Sequence, residues 1–350
     1  MIEQSNLTSA HIKALHNRYP LITVQVFEMA MCAFGLLQAL VDSGLPFIFK
    51  GGTCLLLLLK QPQRISTDID ILVDPKIDLR PYLEKIGKRF PFHIVRGIER
   101  NLQDPIDHFS FPVPKIFGTY DHAVRLDVLR EKSPYLKLEQ VPLRSPLLLT
   151  SGVDCFVTTP SLECLLADKL TAFAPKTIGV DPERTSAGVP MNNHLQVVKQ
   201  LFDIGVLFEE ARDFETLQKT YRQVARSESL LRGGTISESQ ALRDSFEAAF
   251  CVATGGAADN SMYRRVFRSG IASLHDHIFE GGYNAVLAKK NAANAMLLST
   301  GLLSGCNVLT MAVPPQKGFQ ELPHQAIKEI KESLYFNRAA YAIRLIIPGL

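Results

Sequence analysis

The chain has 350 residues, with 46% hydrophobic and 21% charged positions. That balance excludes a chain too polar to build a core, and the length allows two domains. Thirty-eight Lys and Arg against 35 Asp and Glu leave a net charge of +3, compatible with a polyanionic partner but too mild to identify one.

The start, MIEQSNLTSAHIKAL, lacks the basic and apolar regions of a signal peptide. Residues 1–20 read as a polar helix ending at Pro20, and residues 22–42 as a long helix rich in Ala, Met and Leu. The apolar stretch 21–45 carries Gln25, Glu28, Gln38 and Asp42, so it reads as a buried helix rather than a membrane span. Cys32, Cys54, Cys155, Cys164, Cys251 and Cys306 form no CxxC and no zinc spacing. They read as free thiols, and a cytoplasmic protein with no membrane partner is expected.

Residues 45–49 read as a first core strand, and the most informative stretch follows, from Phe47 to Asp74. It reads strand, glycine turn, short apolar helix, polar loop, strand. Asp68 and Asp70 open the second strand, and side chains at i and i+2 share a face roughly 6.5–7 Å apart. Ile69 and Ile71 then point into a core. Two carboxylates on one face call for a cation, and hard oxygen donors suit Mg²⁺. Gly51 and Gly52 free the backbone to expose N–H groups, and Thr53 begins a helix whose N-terminus favours anions. Gly52 and Asp68 lie sixteen residues apart, room for about two helical turns and a loop. A phosphate cradle beside a carboxylate pair is suited to moving a phosphoryl or nucleotidyl group.

Further along, residues 78–89 read as a helix and 90–130 as sheet. In HAVRLDVLR, Val124, Leu126 and Val128 share one face, and Asp127 leaves on the other. A plain alternative for Asp127 is an edge-strand acid paired with Arg125 or Arg130. Residues 131–158, with prolines at 134, 142 and 146, read as irregular or sheet-edge. Thr159 reads as an N-cap, with Pro160 in the first turn of a helix whose apolar face holds Leu162, Leu165, Leu166 and Leu170. Lys169 sits beside that stripe. Residues 175–194 read as a long loop. In the next helix Lys199 and Asp203 are i and i+4, and a surface ion pair would explain them. Helices are expected over about 214–227, 238–253, 260–279, 284–304 and 322–345. Arg264, Arg265, Arg268, Lys289 and Lys290 are a candidate basic face for RNA, with a solvated helix surface the commoner explanation.

GGT, then Arg64, Ser66 and the Asp68-Ile69-Asp70 triplet, resemble motif I of the nucleotidyltransferases of the DNA polymerase β superfamily. Within it the pattern is most similar to AbiEii/AbiGii-type toxins and their MenT-like relatives, components of type IV toxin–antitoxin and phage-abortive systems. The resemblance covers roughly residues 45–210. It implies an α+β fold: a polymerase-β-like nucleotidyltransferase domain with a mixed sheet and flanking helices over 1–150, and a mainly helical region over 151–350 completing the cleft. It implies Asp127 as a third carboxylate, with Asp68, Asp70 and Asp127 holding two Mg²⁺ ions. Gly51, Gly52, Thr53, Arg64 and Ser66 would meet the phosphates of an NTP, as would Lys169. The family's fourth motif reads Lys/Arg-Asp-x-x-Asp, and here Gln200 replaces the first acid, leaving Lys199 and Asp203 as candidates for contacts to the nucleotide or to Lys169. The activity implied is transfer of a nucleoside monophosphate to an acceptor hydroxyl on RNA, with a tRNA 3′ end as a candidate, or on a protein, with a cognate antitoxin as partner. A small-molecule nucleotidyltransferase, a silent nucleotide- or RNA-binding module, and a partner-binding structural domain are the rival readings.

Overall fold

The computed structural model describes residues 1–89, 91–92, 96–97, 106–117, 122–183, 185–186 and 189–309, with 338, 339, 342 and 344. The chain divides into two compact units. The first is Met1–Ser133 with Leu138–Ser161 and Asp276–Gly282, and the second is Pro134–Lys137 with Leu162–His275 and Tyr283–Leu350.

In the first unit, α1 (Ser9–Arg18) starts where the Thr8 hydroxyl accepts from His11 N–H. Helix α2 (Val24–Ser43) is capped by Thr23 and stops at Gly44, whose φ of 82° suits glycine. By length and composition α2 could cross a membrane, yet 67% of its apolar window is buried in the fold. It is the core helix that the polar positions within it led us to expect.

The sheet comprises β1 (Ile48–Lys50), β2 (Ile69–Val73), β3 (Arg96–Gly97), β4 (Ile106–Val113) and β5 (His122–Arg130). Helix α3 (Gly51–Leu58) joins β1 to β2, and α4 (Arg80–Gly87) follows β2. The order is β1-β2-β5-β4-β3, with β2 and β5 parallel and the remaining neighbours antiparallel. Ile69, Ile71, Val124, Leu126 and Val128 are buried, as period-two alternation requires. Strand β5 is interior, between β2 and β4, so Asp127 is not an edge-strand acid. Glu28 of α2 is fully buried, and its carboxylate accepts from the backbone N–H groups of Ile116 and Phe117, just after β4.

Strands β6 (Leu138–Pro142) and β7 (Phe156–Pro160) form an antiparallel ladder where the prolines suggested irregular chain. Pro142 and Pro160 are tolerated because they sit at its ends. Thr159 pairs with Glu139 in that ladder, so it is a strand residue and not a helix cap. Cross-strand pairing carries the extended chain through Pro160. The return 276–282 lies along the loop before β2: Ile65 N–H donates to His277 C=O at 2.8 Å and Phe279 N–H to Gln63 C=O at 3.2 Å.

The second unit starts with α5 (Leu162–Ala172). The long loop of the sequence reading contains a two-residue ladder, β8 (Thr185–Ser186) with β9 (Val189–Pro190). Helices α6 (His194–Glu210), α7 (Phe214–Leu231) and α8 (Glu238–Ala253) follow, α7 capped by Asp213 and α8 by a Ser237–Gln240 capping box. The expected helix over 260–279 is α9 (Asn260–Met262), a π-turn at Tyr263–Phe267, and α10 (Arg268–Leu274). Helix α11 (Ala285–Ser304) starts at the Asn284 cap and is buried on nearly every side from Asn291 to Leu302. The expected helix over 322–345 lies largely outside the described residues.

Replacing Glu28 by Ala strips two backbone N–H groups of their acceptor. Loss of about 1–3 kcal/mol is expected, read as a lower urea midpoint at unchanged slope.

Candidate active site

Backbone register sets the site. Lys50 of β1 pairs with Asp70 of β2, Asp70 with Asp127 of β5, and Asp127 with His108 of β4. Registered partners on neighbouring strands share a face, so these four side chains form one row, opposite the face of Ile69, Ile71, Leu126 and Val128. Two acids stand at its centre with a basic residue at either end. At a strand spacing of about 5 Å and an effective dielectric near 20, two such charges repel by about 3 kcal/mol.

Arg125 answers that repulsion. Its Nη2 and Nε lie 3.1 and 3.2 Å from Asp127 Oδ2. Partial burial disfavours its charge, but the Asp127, Asp68 and Asp70 carboxylates outweigh this and raise its pKa above the ordinary guanidinium value. All three acids therefore act on one guanidinium. The other Asp127 oxygen, Oδ1, accepts from His108 Nδ1 at 2.7 Å. The Asp127 side chain is 12% exposed, that of His108 29% and that of Arg125 54%. Arg130 is occupied elsewhere, donating to the carbonyls of Pro75 and Ile77.

The glycine pair forms the wall beside Asp70. A Cβ on Gly51 would lie 2.0 Å from Asp70 Oδ2, and Gly51 has φ +79°. Helix α3 starts at Gly51 itself, two residues before the expected Thr53. A Cβ on Gly52 would lie 2.5 Å from Arg64 Nη2 and 3.0 Å from Ser66 Oγ. Thr53 is fully buried, and its hydroxyl donates to the Asp68 carbonyl at 2.6 Å, which fixes the approach to β2. Arg64 is buried, with Nη1 donating to Ile65 C=O at 3.2 Å. Ser66 is half-buried. The side chains of Thr53 and Arg64 thus shape the loop from inside it.

In the second unit, Lys169 Nζ lies 3.2 Å from Asp203, and both residues are buried. Asp203 is therefore not on an exposed helix face. Lys199 is half-buried, as is Gln200, whose buried Oε1 has no hydrogen-bond partner among the described residues. In the candidate basic face, Arg265 pairs with Glu183 at 2.9 Å and Lys290 approaches Glu209 at 3.9 Å.

Hard carboxylate oxygens fit a divalent cation such as Mg²⁺. The guanidinium among the three acids marks where positive charge is favoured. Among the described residues no three His, Cys, Asp or Glu side chains are grouped closely enough to hold a metal ion. Asp127 is instead engaged with His108 and Arg125.

Lys50 and His108 are members of this row that the sequence did not single out. Lys50 carries a faint signal, immediately preceding the glycine pair. His108 carries none, because its opposition to Asp127 depends on the register of β4 on β5.

A model of the family described as nucleotidyl transferase AbiEii toxin, type IV toxin–antitoxin system, matches residues 35–278. Among solved structures, JHP933 from Helicobacter pylori is 13% identical, the match covering 79% of this chain and 95% of that one, with a TM-score of 0.42. An antigenic nucleotidyltransferase-like protein from Paracoccidioides brasiliensis is 17% identical, with 59% and 91% covered and a TM-score of 0.35. No curated protein matches the chain.

Substituting Gly51 by Ala forces a Cβ into the Asp70 carboxylate and strains the backbone. A cost of about 1–3 kcal/mol is expected, with Asp70 displaced in a crystal structure of the variant. Changing Lys169 to Ala deprives buried Asp203 of its lysine and should cost up to about 3–5 kcal/mol in denaturant unfolding.

Proposed function

The chain belongs to the AbiEii family of nucleotidyl transferases, and from that premise we propose that it transfers a nucleoside monophosphate from an NTP to a hydroxyl of RNA, a tRNA 3′ end being the candidate acceptor. The observation that carries this reading is the register pairing of Asp70 with Asp127, beside the glycine that opens α3. Family membership also supports a toxin role and an antitoxin partner.

In this proposal Asp68, Asp70 and Asp127 would hold Mg²⁺, two ions being expected, once Asp127 Oδ2 is released from Arg125. Mg²⁺, when bound, offsets charge on the phosphates and eases ionisation of the acceptor hydroxyl. The N–H groups of Gly51 and Gly52 at the start of α3 receive the phosphates. Asp70 packs against Gly51, so the nucleotide and the carboxylates share one wall. Thr53 holds the main chain at Asp68, and buried Arg64 supports Gly52 from below. The acceptor oxygen attacks the α-phosphorus, and the bond from that phosphorus to the bridging oxygen breaks. Pyrophosphate leaves, and Asp127 takes the hydroxyl proton. Positioning and charge neutralisation supply most of the rate, as in phosphoryl transfer generally.

The test incubates purified protein and Mg²⁺ with total RNA and each of the four α-³²P NTPs separately. Label should enter RNA from a preferred nucleotide, and Asp70→Ala should lower incorporation about a hundredfold or more. No label in RNA from any NTP, or equal labelling by the variant, would overturn the proposal. Label on protein or a small acceptor instead would replace the RNA assignment.

A further inference from the structure

We infer that His108 is the positioning residue of Asp127, fixing one carboxylate oxygen so that the other is the one that works. The inference rests on the transfer chemistry proposed above.

The asymmetry of the two contacts carries it. A carboxylate only accepts, so His108 Nδ1 is the donor to Oδ1, across 2.7 Å. His108 is brought there by the pairing of β4 with β5, on a short side chain that is 29% exposed. The contact is largely withdrawn from water, where a hydrogen bond to a charged group is strengthened. Arg125 holds Oδ2 differently. It comes from the same strand as Asp127, on a long stem, and is 54% exposed. An exposed guanidinium loses little by moving into solvent. When Oδ2 is needed for a cation or an acceptor proton, Arg125 can yield while His108 stays. Groups that hydrogen-bond a ligating carboxylate fix its orientation, and losing one costs about 10–100-fold in metal affinity or activity.

The test is calorimetric titration of Mn²⁺ into nucleotide-free protein, with thermal midpoints recorded alongside. His108→Ala should weaken Mn²⁺ binding about tenfold or more while the protein stays folded. His108→Asn places an amide N–H where Nδ1–H stood and should restore most of the affinity. His108→Gln carries its amide to the Nε2 position and should not. If the alanine variant is unfolded, the asparagine–glutamine contrast decides. Wild-type affinity in folded His108→Ala, or no difference between Asn and Gln, overturns the inference alone. Absence of Mn²⁺ binding to wild type, or unchanged binding in Asp127→Asn, overturns this inference, whereas absence of label in the RNA assay overturns the transfer reading and this inference with it.

Discussion

Like charges on adjacent strands dominate the first unit. Asp70 and Asp127 are registered partners, and no arrangement of the sheet separates them without breaking the ladder. The surroundings answer this with cationic and hydrogen-bonding groups. Arg125 is drawn into the field of all three acids, His108 caps one oxygen of Asp127, and Lys50 stands in register with Asp70. Gly51 leaves the Asp70 carboxylate the space that any side chain would fill.

The other face of the sheet provides the anchorage. Ile69, Ile71, Leu126 and Val128 are buried directly behind the acids. Each contributes about 1.5–3 kcal/mol on burial, so together they exceed a repulsion of about 3 kcal/mol between the carboxylates. The acids can be crowded because the residues alternating with them are committed to the core. A one-residue slip of either strand would turn the acids inward.

Much of this was legible in the chain. Isoleucines alternating with Asp68 and Asp70, and the run Val124, Leu126, Val128 around Asp127, announce strands with a wet and a dry face. Capping by Asp213, Ser237 and Asn284 makes the helices of the second unit readable for local reasons. What could not be read depends on pairing between distant segments. His108 faces Asp127 because of the register of β4 on β5, which no local pattern encodes. Thr159 has the chemistry of a helix cap, but Glu139 lies opposite it and holds it in a strand. The contact of Asp203 with Lys169 was among those the family resemblance offered, but the burial of the pair, more than thirty positions apart, follows from helix packing.

Main-chain bonds from Gln63 and Ile65 reach residues 277–279, so the approach to Asp68 is tied down by chain that emerges more than two hundred positions later. During synthesis the ribosome delivers β1, β2, β4 and β5 well before that tether exists. The loop carrying Arg64 and Ser66 lacks these two bonds until residues 277–279 have been made, so a prematurely terminated chain holds the acids without this part of their surroundings. Maturation of the site is thereby coupled to completion of most of the polypeptide.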